Sequence, residues 1–398
     1  MTKYIENIDV DKAIELFKDL WGTQMNTEVV DVSESIHRVL ASDYSAVENI
    51  PLVRASMMDG IAVKSQMWMD GKRPDTGNWK MGEEFIRADT GDDFDDDYDT
   101  VIPIEKVEIG ENGLGIKLDE SLEFTKGMNI RGSGSNIKKD TELLKSGHRI
   151  NATDLAVLCM GNIDKVAVRK KPIVAFIPTG TELINVGEKI TRGKNIDSNS
   201  LMAKHLLEEF GAEVVLYPIT PDDPESIKSI LKEALEVSDM VLINGGSSKG
   251  EEDFGPRLLN EMGKLYFHWA QSGPGRPVAM ASVSEKPVFI VPGPTYGCLN
   301  VLQWLIRPCL QHWLAYSNAH YYKTTARLKE TADVPTRFKF LVGVELEWKD
   351  GELWATLLNF KRHGTVRCLK ADGFVHSGEW LENTKVGDEV VVKLLRPI

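Results

Sequence analysis

Two short loops gather the residues of this chain that could do chemistry. Pro178-Thr179-Gly180-Thr181-Glu182 follows an apolar run at 173–177, and Asn244-Gly245-Gly246-Ser247-Ser248-Lys249-Gly250-Glu251-Glu252-Asp253 follows a second run at 240–243. Glycines at 245, 246 and 250 let main-chain N–H groups converge on one point, and Ser247 and Ser248 add hydroxyl donors. That set suits an anion, although a plain strand-to-helix turn would use the same residues. Asp253 reads either as a carboxylate facing a ligand or as the N-cap of the next helix. Glu182 follows directly on a buried strand. In Thr220-Pro221-Asp222-Asp223-Pro224, Asp223 and Pro224 have the order of an N-cap and a first helical residue, which leaves Asp222 for the site.

The elements that must position these loops are legible around them. Both runs are short, β-rich and apolar throughout, as in strands buried on both faces of a parallel sheet. Between them, Asn199 is placed to cap a helix with Leu201, Leu206, Leu207 and Phe210 as its apolar positions, and Gly211 to end it. A strand over 213–217 follows, then a helix from Pro224 with Ile227, Ile230, Leu231, Ala234 and Leu235 as its stripe. The order β-α-β-α-β predicts a right-handed parallel unit, with both loops at the carboxyl edge of one sheet, where open α/β folds bind ligands. Beyond it, Leu299, Leu302, Ile306, Leu310 and Trp313 predict a long helix that Pro308 kinks or ends.

A chain of 398 residues allows two to four domains, and 42% hydrophobic with 27% charged residues is ordinary for a globular protein. A net charge of −13 argues against a general nucleic-acid partner. No apolar run approaches the ~20 residues that span a bilayer. The acidic, amphipathic N-terminus, with Val10, Ile14, Phe17 and Trp21 at helical spacing, is unlike a signal or transit peptide. Cys159, Cys298, Cys309 and Cys368 are scattered and read as four buried thiols of a reducing cytoplasm. The acidic run from Asp92 to Asp99 lacks the ligand order of a calcium loop and reads as a solvated loop, and no histidine pair has zinc spacing. Four regions are expected: a discontinuous helical region at 1–45 and 141–171, a strand-rich domain at 46–140, a three-layer α/β domain at 172–321, and an all-β domain at 322–398. In the last, strands are expected over 340–348, 353–359, 365–370 and 390–395, with hairpin turns at Asp350-Gly351 and Asp372-Gly373.

Taken together, the motifs resemble the MoeA family, molybdopterin molybdenumtransferases of molybdenum cofactor synthesis. Ser56-Met57-Met58-Asp59-Gly60-Ile61-Ala62 is similar to the family's S-A-M-D-G-Y-A, and Pro178-Thr179-Gly180-Thr181-Glu182-Leu183 to its S-T-G-D-E-L. Asp99-Thr100-Val101-Ile102-Pro103, Asn129-Ile130-Arg131, Asp197-Ser198-Asn199, Asp222-Asp223, the 245–253 loop and Ala371-Asp372-Gly373-Phe374 follow in the expected order. Any one of these is weak; six or more in order across four regions is specific.

The resemblance implies insertion of molybdenum from molybdate into adenylated molybdopterin, with Mg²⁺-dependent release of AMP. It implies Asp59, Glu182, Asp222 and Asp253 as the catalytic set, the last three as hard oxygen ligands for Mg²⁺. Thr179, Gly180, Gly245, Gly246, Ser247, Ser248, Gly250, Arg276, Pro292 and Gly293 would hold the pterin substrate. It also implies a cytoplasmic homodimer with shared sites, Asp59 serving the other subunit; without the resemblance, Asp59 reads as a turn residue beside Gly60. The chain departs from the family at its oxyanion loops. The usual P-G-N-P-V is Pro292-Gly293-Pro294-Thr295-Tyr296, and the usual K-P-G-K-P is Gly273-Pro274-Gly275-Arg276-Pro277. Those departures keep a second reading in view, a paralogue that carries the pterin or acts as a scaffold without inserting metal. A third, a nucleotide-type hydrolase like the CinA family, leaves the 56–60 motif and the β tail without a role.

Overall fold

The computed structural model describes residues 4–22, 25–68, 72–246, 255–317, 321–331, 333–334, 339–378, 381 and 383–396. The chain forms two compact units, Val29–Val168 and Met1–Glu28 joined with Arg169–Ile398.

In the second of these units the elements run β1 (Ile5–Ile8), α1 (Val10–Leu20), β2 (Ile173–Pro178), α2 (Asn199–Glu209), β3 (Glu213–Leu216), α3 (Pro224–Val237) and β4 (Met240–Asn244). They continue as α4 (Gly255–Met262), β5 (Lys264–Ala270), β6 (Ala279–Val283), β7 (Lys286–Val291), α5 (Thr295–Val301) and α6 (Arg307–Trp313). The strands make one sheet in the order β1-β5-β6-β7-β4-β2-β3. All its pairings are parallel except those of β6, which runs against both neighbours. The β6–β7 hairpin turns through Ser284 and Glu285, both at positive φ, as a two-residue turn with the twist of a hairpin requires.

Two apolar layers cover the sheet. Phe176 and Phe289 face Phe17, Leu207 and Trp313 on one side, while Ile177, Val241 and Ile290 face Ile227, Leu231 and Leu259 on the other. Each such buried side chain contributes about 1.5–3 kcal/mol relative to exposure. The three-layer α/β domain is therefore as the sequence predicts, with one addition. β1 and α1, grouped by the sequence reading with 141–171, pair and pack with this sheet. Trp313 Nε1 donates to the Trp21 carbonyl (3.0 Å) and Trp21 Nε1 to that of Glu285 (2.8 Å).

Local signals account for most boundaries. The Asp223 carboxylate accepts from Ser226 N (2.8 Å), with Pro224 opening α3. Gly211 takes φ +101 where α2 ends. Asn199 is not the cap of α2, however; Asp197 Oδ1 accepts from Asn199 N (3.0 Å) and Ser200 N (3.1 Å) instead. Pro308 is accommodated by a π-helical stretch, Leu302–Ile306, between α5 and α6.

The C-terminal part contains β8 (Lys323–Leu328), β9 (Lys339–Lys349), β10 (Glu352–Leu358), α7 (Phe360–Leu369), β11 (Gly373–His376) and β12 (Glu389–Leu394). Its strands close on themselves in the order β9-β10-β8-β12-β11-β9, a small barrel around Leu328, Val342, Val344, Ala355 and Val392. Asp350 and Gly351, both at positive φ, join β9 to β10 as expected. Two expectations fail here. Residues 365–369 are not a strand but the second half of α7, which Gly364 (φ 77) kinks and Lys370 closes; its N-cap Asn359 accepts from Lys361 N (3.0 Å), and Arg367 is pinned to Glu345 (2.8 and 2.6 Å). Asp372-Gly373 is not a hairpin turn: Asp372 accepts from Leu346 N (2.8 Å), and Gly373 opens β11.

In the 29–168 unit, Val32, Leu40, Leu144, Ile150, Leu158 and Val166 form one core, so the chain leaves this region and returns to it. The region holds one α-helix among the described residues, Ala152–Met160, closed by an Asn151/Asp154 capping box; the rest is paired strand and 3-10 turn rather than helix. A second core surrounds the three-stranded sheet of Gly60–Val63 between Phe85–Ala88 and Thr100–Pro103. A side chain at Gly60 would lie 2.1 Å from the Ile102 carbonyl oxygen, so close strand approach requires glycine there. In the larger unit, Lys170 N donates to the Asn26 carbonyl (2.7 Å), holding together the two points where the chain departs and re-enters.

Candidate active site

β2 leads to β3 on one side while β4 lies on the other, so the carboxyl ends of β2 and β4 flank a topological switch point. A cavity of about 870 Å³ opens there, lined by Thr179, Glu182, Asn199, Asp222, Asn244, Gly245, Gly246, Pro292 and Gly293, with Tyr296, Phe360 and Thr365 also in its wall. Buried amides hold its floor. Asn244 Nδ2 donates to the Pro292 carbonyl (2.7 Å), and Asn244 Oδ1 accepts from Asn199 Nδ2 (2.9 Å). Asn199 Nδ2 also donates to the Gly293 carbonyl (2.6 Å), while its Oδ1 is buried without a protein partner among the described residues. These bonds tie β4, α2 and the loop after β7 into one rigid floor.

Thr179 and Gly245 close the gap between β2 and β4. Thr179 donates to the Asn244 carbonyl through N (2.9 Å) and Oγ1 (3.2 Å), and Gly180 N donates to the Thr220 carbonyl (3.0 Å). Gly245 has φ +124, and a Cβ there would lie 2.5 Å from Thr179 Oγ1. Its N–H donates to the Val291 carbonyl (3.0 Å) and so is committed to the fold; the expectation that it points at an anion is corrected. Gly246 lines the cavity at φ +63. Ser247, Ser248, Gly250 and Asp253 lie outside the described residues.

The two remaining carboxylates come together. Glu182 and Asp222 are both exposed and both line the cavity, from the loops after β2 and β3. The Glu182 carboxylate folds over Gly180, where a Cβ would come within 2.8 Å of Oε2. Its loop is braced by Asn195 N on the Glu182 carbonyl (2.9 Å) and Lys194 Nζ on the Thr181 carbonyl (2.6 Å). Asp223, by contrast, is held below the usual carboxylate range by the Ser226 hydroxyl and N–H, as fits a cap.

Other assignments separate from this site. Arg276 is not in the cavity wall; its guanidinium stacks on the Trp269 indole, 4.7 Å from the ring centre. Asp59 lies in the 29–168 unit, where Oδ1 accepts from Thr90 N (2.7 Å) and Thr90 Oγ1 (2.8 Å); these bonds lower its pKa, the backbone one most. In the acidic run, Asp99 binds Ser65 N (2.7 Å) and Oγ (2.6 Å), and Asp96 pairs with Arg54. Among the described residues no group of three His, Cys, Asp or Glu side chains could hold a metal. Cys298, Cys309 and Cys368 are buried, and burial pushes the Cys298 thiol up to about 12, which makes it inert. Cys159 is exposed, contrary to the expectation of four buried thiols.

Sequence reasoning gave no site role to Asn244, Phe360 or Thr365, and met Thr295 and Tyr296 only as departures in the oxyanion loop. Asn244 is legible in hindsight as a polar residue ending a fully buried strand. Thr295 Oγ1 lies 2.9 Å from Ser198 Oγ, joining the loop after β7 to the start of α2. Phe360 and Thr365 sit on α7, which carried no helical signal.

Comparison with known proteins accounts for this arrangement. Residues 8–160 match the MoeA N-terminal region (domain I and II), and residues 175–312 match a probable molybdopterin binding domain. The molybdopterin molybdenumtransferase of Bacillus subtilis is 26% identical over 98% of this chain and 94% of that protein. That of Staphylococcus aureus is 28% identical over 73% of this chain and 72% of its own length. The crystal structure of a molybdopterin biosynthesis MoeA protein from Pyrococcus horikoshii superposes with a TM-score of 0.79 at 27% identity, covering 98% of this chain and all of that one. With both domains present in order, and a similar fold along nearly its whole length, the chain belongs to the MoeA family.

Proposed function

We propose that this protein is a molybdopterin molybdenumtransferase, which takes molybdate and adenylated molybdopterin and yields the molybdenum-loaded pterin and AMP. The observation that carries the reading is that Glu182 and Asp222 line one cavity whose floor is braced by buried amides. Two solvent-accessible carboxylates on the loops after neighbouring strands fit a Mg²⁺ ion that keeps several of its waters. Bound there, Mg²⁺ would offset phosphoryl charge as the phosphoanhydride breaks. Glu182 and Asp222 would hold and orient that ion, with Asp253 as a third candidate. Asn199 Oδ1, buried with no protein partner among the described residues, offers an acceptor to a ligand N–H or O–H. Asn244 fixes Asn199 and the Pro292 carbonyl. Asp59 is assigned, through family likeness, to the site of a second subunit in a homodimer.

The test is release of AMP from adenylated molybdopterin by the purified protein, with and without molybdate and Mg²⁺, followed by reconstitution of an apo-molybdoenzyme. Release that depends on both ions, with reconstitution, is expected. Tight pterin binding with neither would replace this reading by the carrier. The carrier draws on the 292–296 loop, where Pro294 and Thr295 stand in place of the family's asparagine and proline.

A further inference from the structure

We propose that Phe360 is a stacking platform for a planar heteroaromatic ring of the ligand, and so a specificity-determining residue of the site; this rests on the reading above. Phe360 opens α7 and is 41% exposed, although it is a large apolar side chain. It stands in the wall of the same cavity that Glu182 and Asp222 line. One side is already occupied: the Tyr296 ring lies nearly parallel to it, 14° between planes and 5.9 Å between centres. Tyr296 cannot yield, being buried with its hydroxyl fixed between Gly343 N (3.0 Å) and the Leu341 carbonyl (3.3 Å). Phe360 is fixed at its base too. Asn359 accepts from Lys361 N (3.0 Å) and donates to the Asp333 carbonyl (2.6 Å).

The cavity therefore has two chemically different walls. The strand-end wall carries carboxylates and amides, suited to a phosphate with its cation. The α7 wall presents an aromatic face backed by a second ring, and its volume of about 870 Å³ is ample for a ligand with both parts. Aromatic faces bind flat heterocycles with little regard to their edge groups, so the chemistry recognised is a π-face. Adenylated molybdopterin offers two, the pterin and the adenine.

Phe360→Ala, Phe360→Leu and Phe360→Trp separate the cases, with binding of AMP and of molybdopterin measured by calorimetry and folding checked by thermal melting. Loss of affinity by about tenfold or more in both the Ala and Leu variants, for at least one ligand, is expected, and which ligand responds names the ring. Phe360→Trp is expected to restore affinity, with its emission quenched on binding. Wild-type affinity of Phe360→Leu for both ligands would overturn the proposal, since an apolar contact would then suffice. Binding is read without turnover. A wild-type protein that binds either ligand yet inserts no metal would sink the activity and leave this comparison standing; one that binds neither would sink both.

Discussion

At the scale of single residues, the cavity brings together buried amides that brace the fold and carboxylates exposed in its wall. Glu182 and Asp222 are exposed on loops, so Glu182→Ala and Asp222→Ala are expected to leave the melting temperature within about 2 °C of wild type. Each should reduce Mg²⁺-dependent AMP release by about a hundredfold or more; unchanged rates in both would remove the cation site. Asn244 is the converse. It is buried, and Asn244→Ala strands the Pro292 carbonyl and leaves the Asn199 amide one bond short. A loss of about 2–3 kcal/mol in urea unfolding is expected. Glu182 was readable from sequence because it follows a buried strand, and Asp222 because Asp223 beside it was accounted for as a helix cap. The asparagine pair was not, because nothing in a sequence shows that two amides 45 positions apart share a hydrogen bond.

At the scale of elements, periodicity served where packing agreed with it and failed where side chains answered to something else. α3 shows the agreement: a cap, a proline and an apolar stripe all mark the same fourteen residues. α7 shows the failure, since Thr365 and Val366 look like strand residues, yet Val366 is 71% exposed and the helix is held by Asn359 and Arg367 instead. β11 carries a pH prediction. Burial, and then the nearby Lys393 and Lys339 ammonium groups, lower His376 to about 4, with Asp11 opposing them weakly. As pH falls through about 6.5, the unfolded chain takes up a proton that the folded one refuses, so stability declines until about pH 4. The decline is on the order of 3 kcal/mol. His376→Gln should flatten the slope of unfolding free energy between pH 6.5 and 4, and an unaltered slope would show that His376 does not set it.

At the scale of the whole molecule, the order of regions was readable because each carries its own signal: buried parallel strands, alternating hairpins, glycine-marked turns. The reach of the N-terminus was not. α1 looks self-contained, an amphipathic helix near an end, and only the structure shows Phe17 against Phe289 and Trp313. Deleting residues 1–22 removes an edge strand and that aromatic cluster, uncovering Trp313 and Phe289. The shortened chain is expected to aggregate on expression, and recovery of a soluble, cooperatively melting product would refute it.

The bond from Lys170 to the Asn26 carbonyl carries a practical consequence. Because those two points already touch, a gene from which the codons for 29–168 have been cut, with a few glycine codons as a splice, should still encode the catalytic sheet and its barrel. The intervening stretch would then be a removable cassette, acquired or shed without redrawing the body that hosts it.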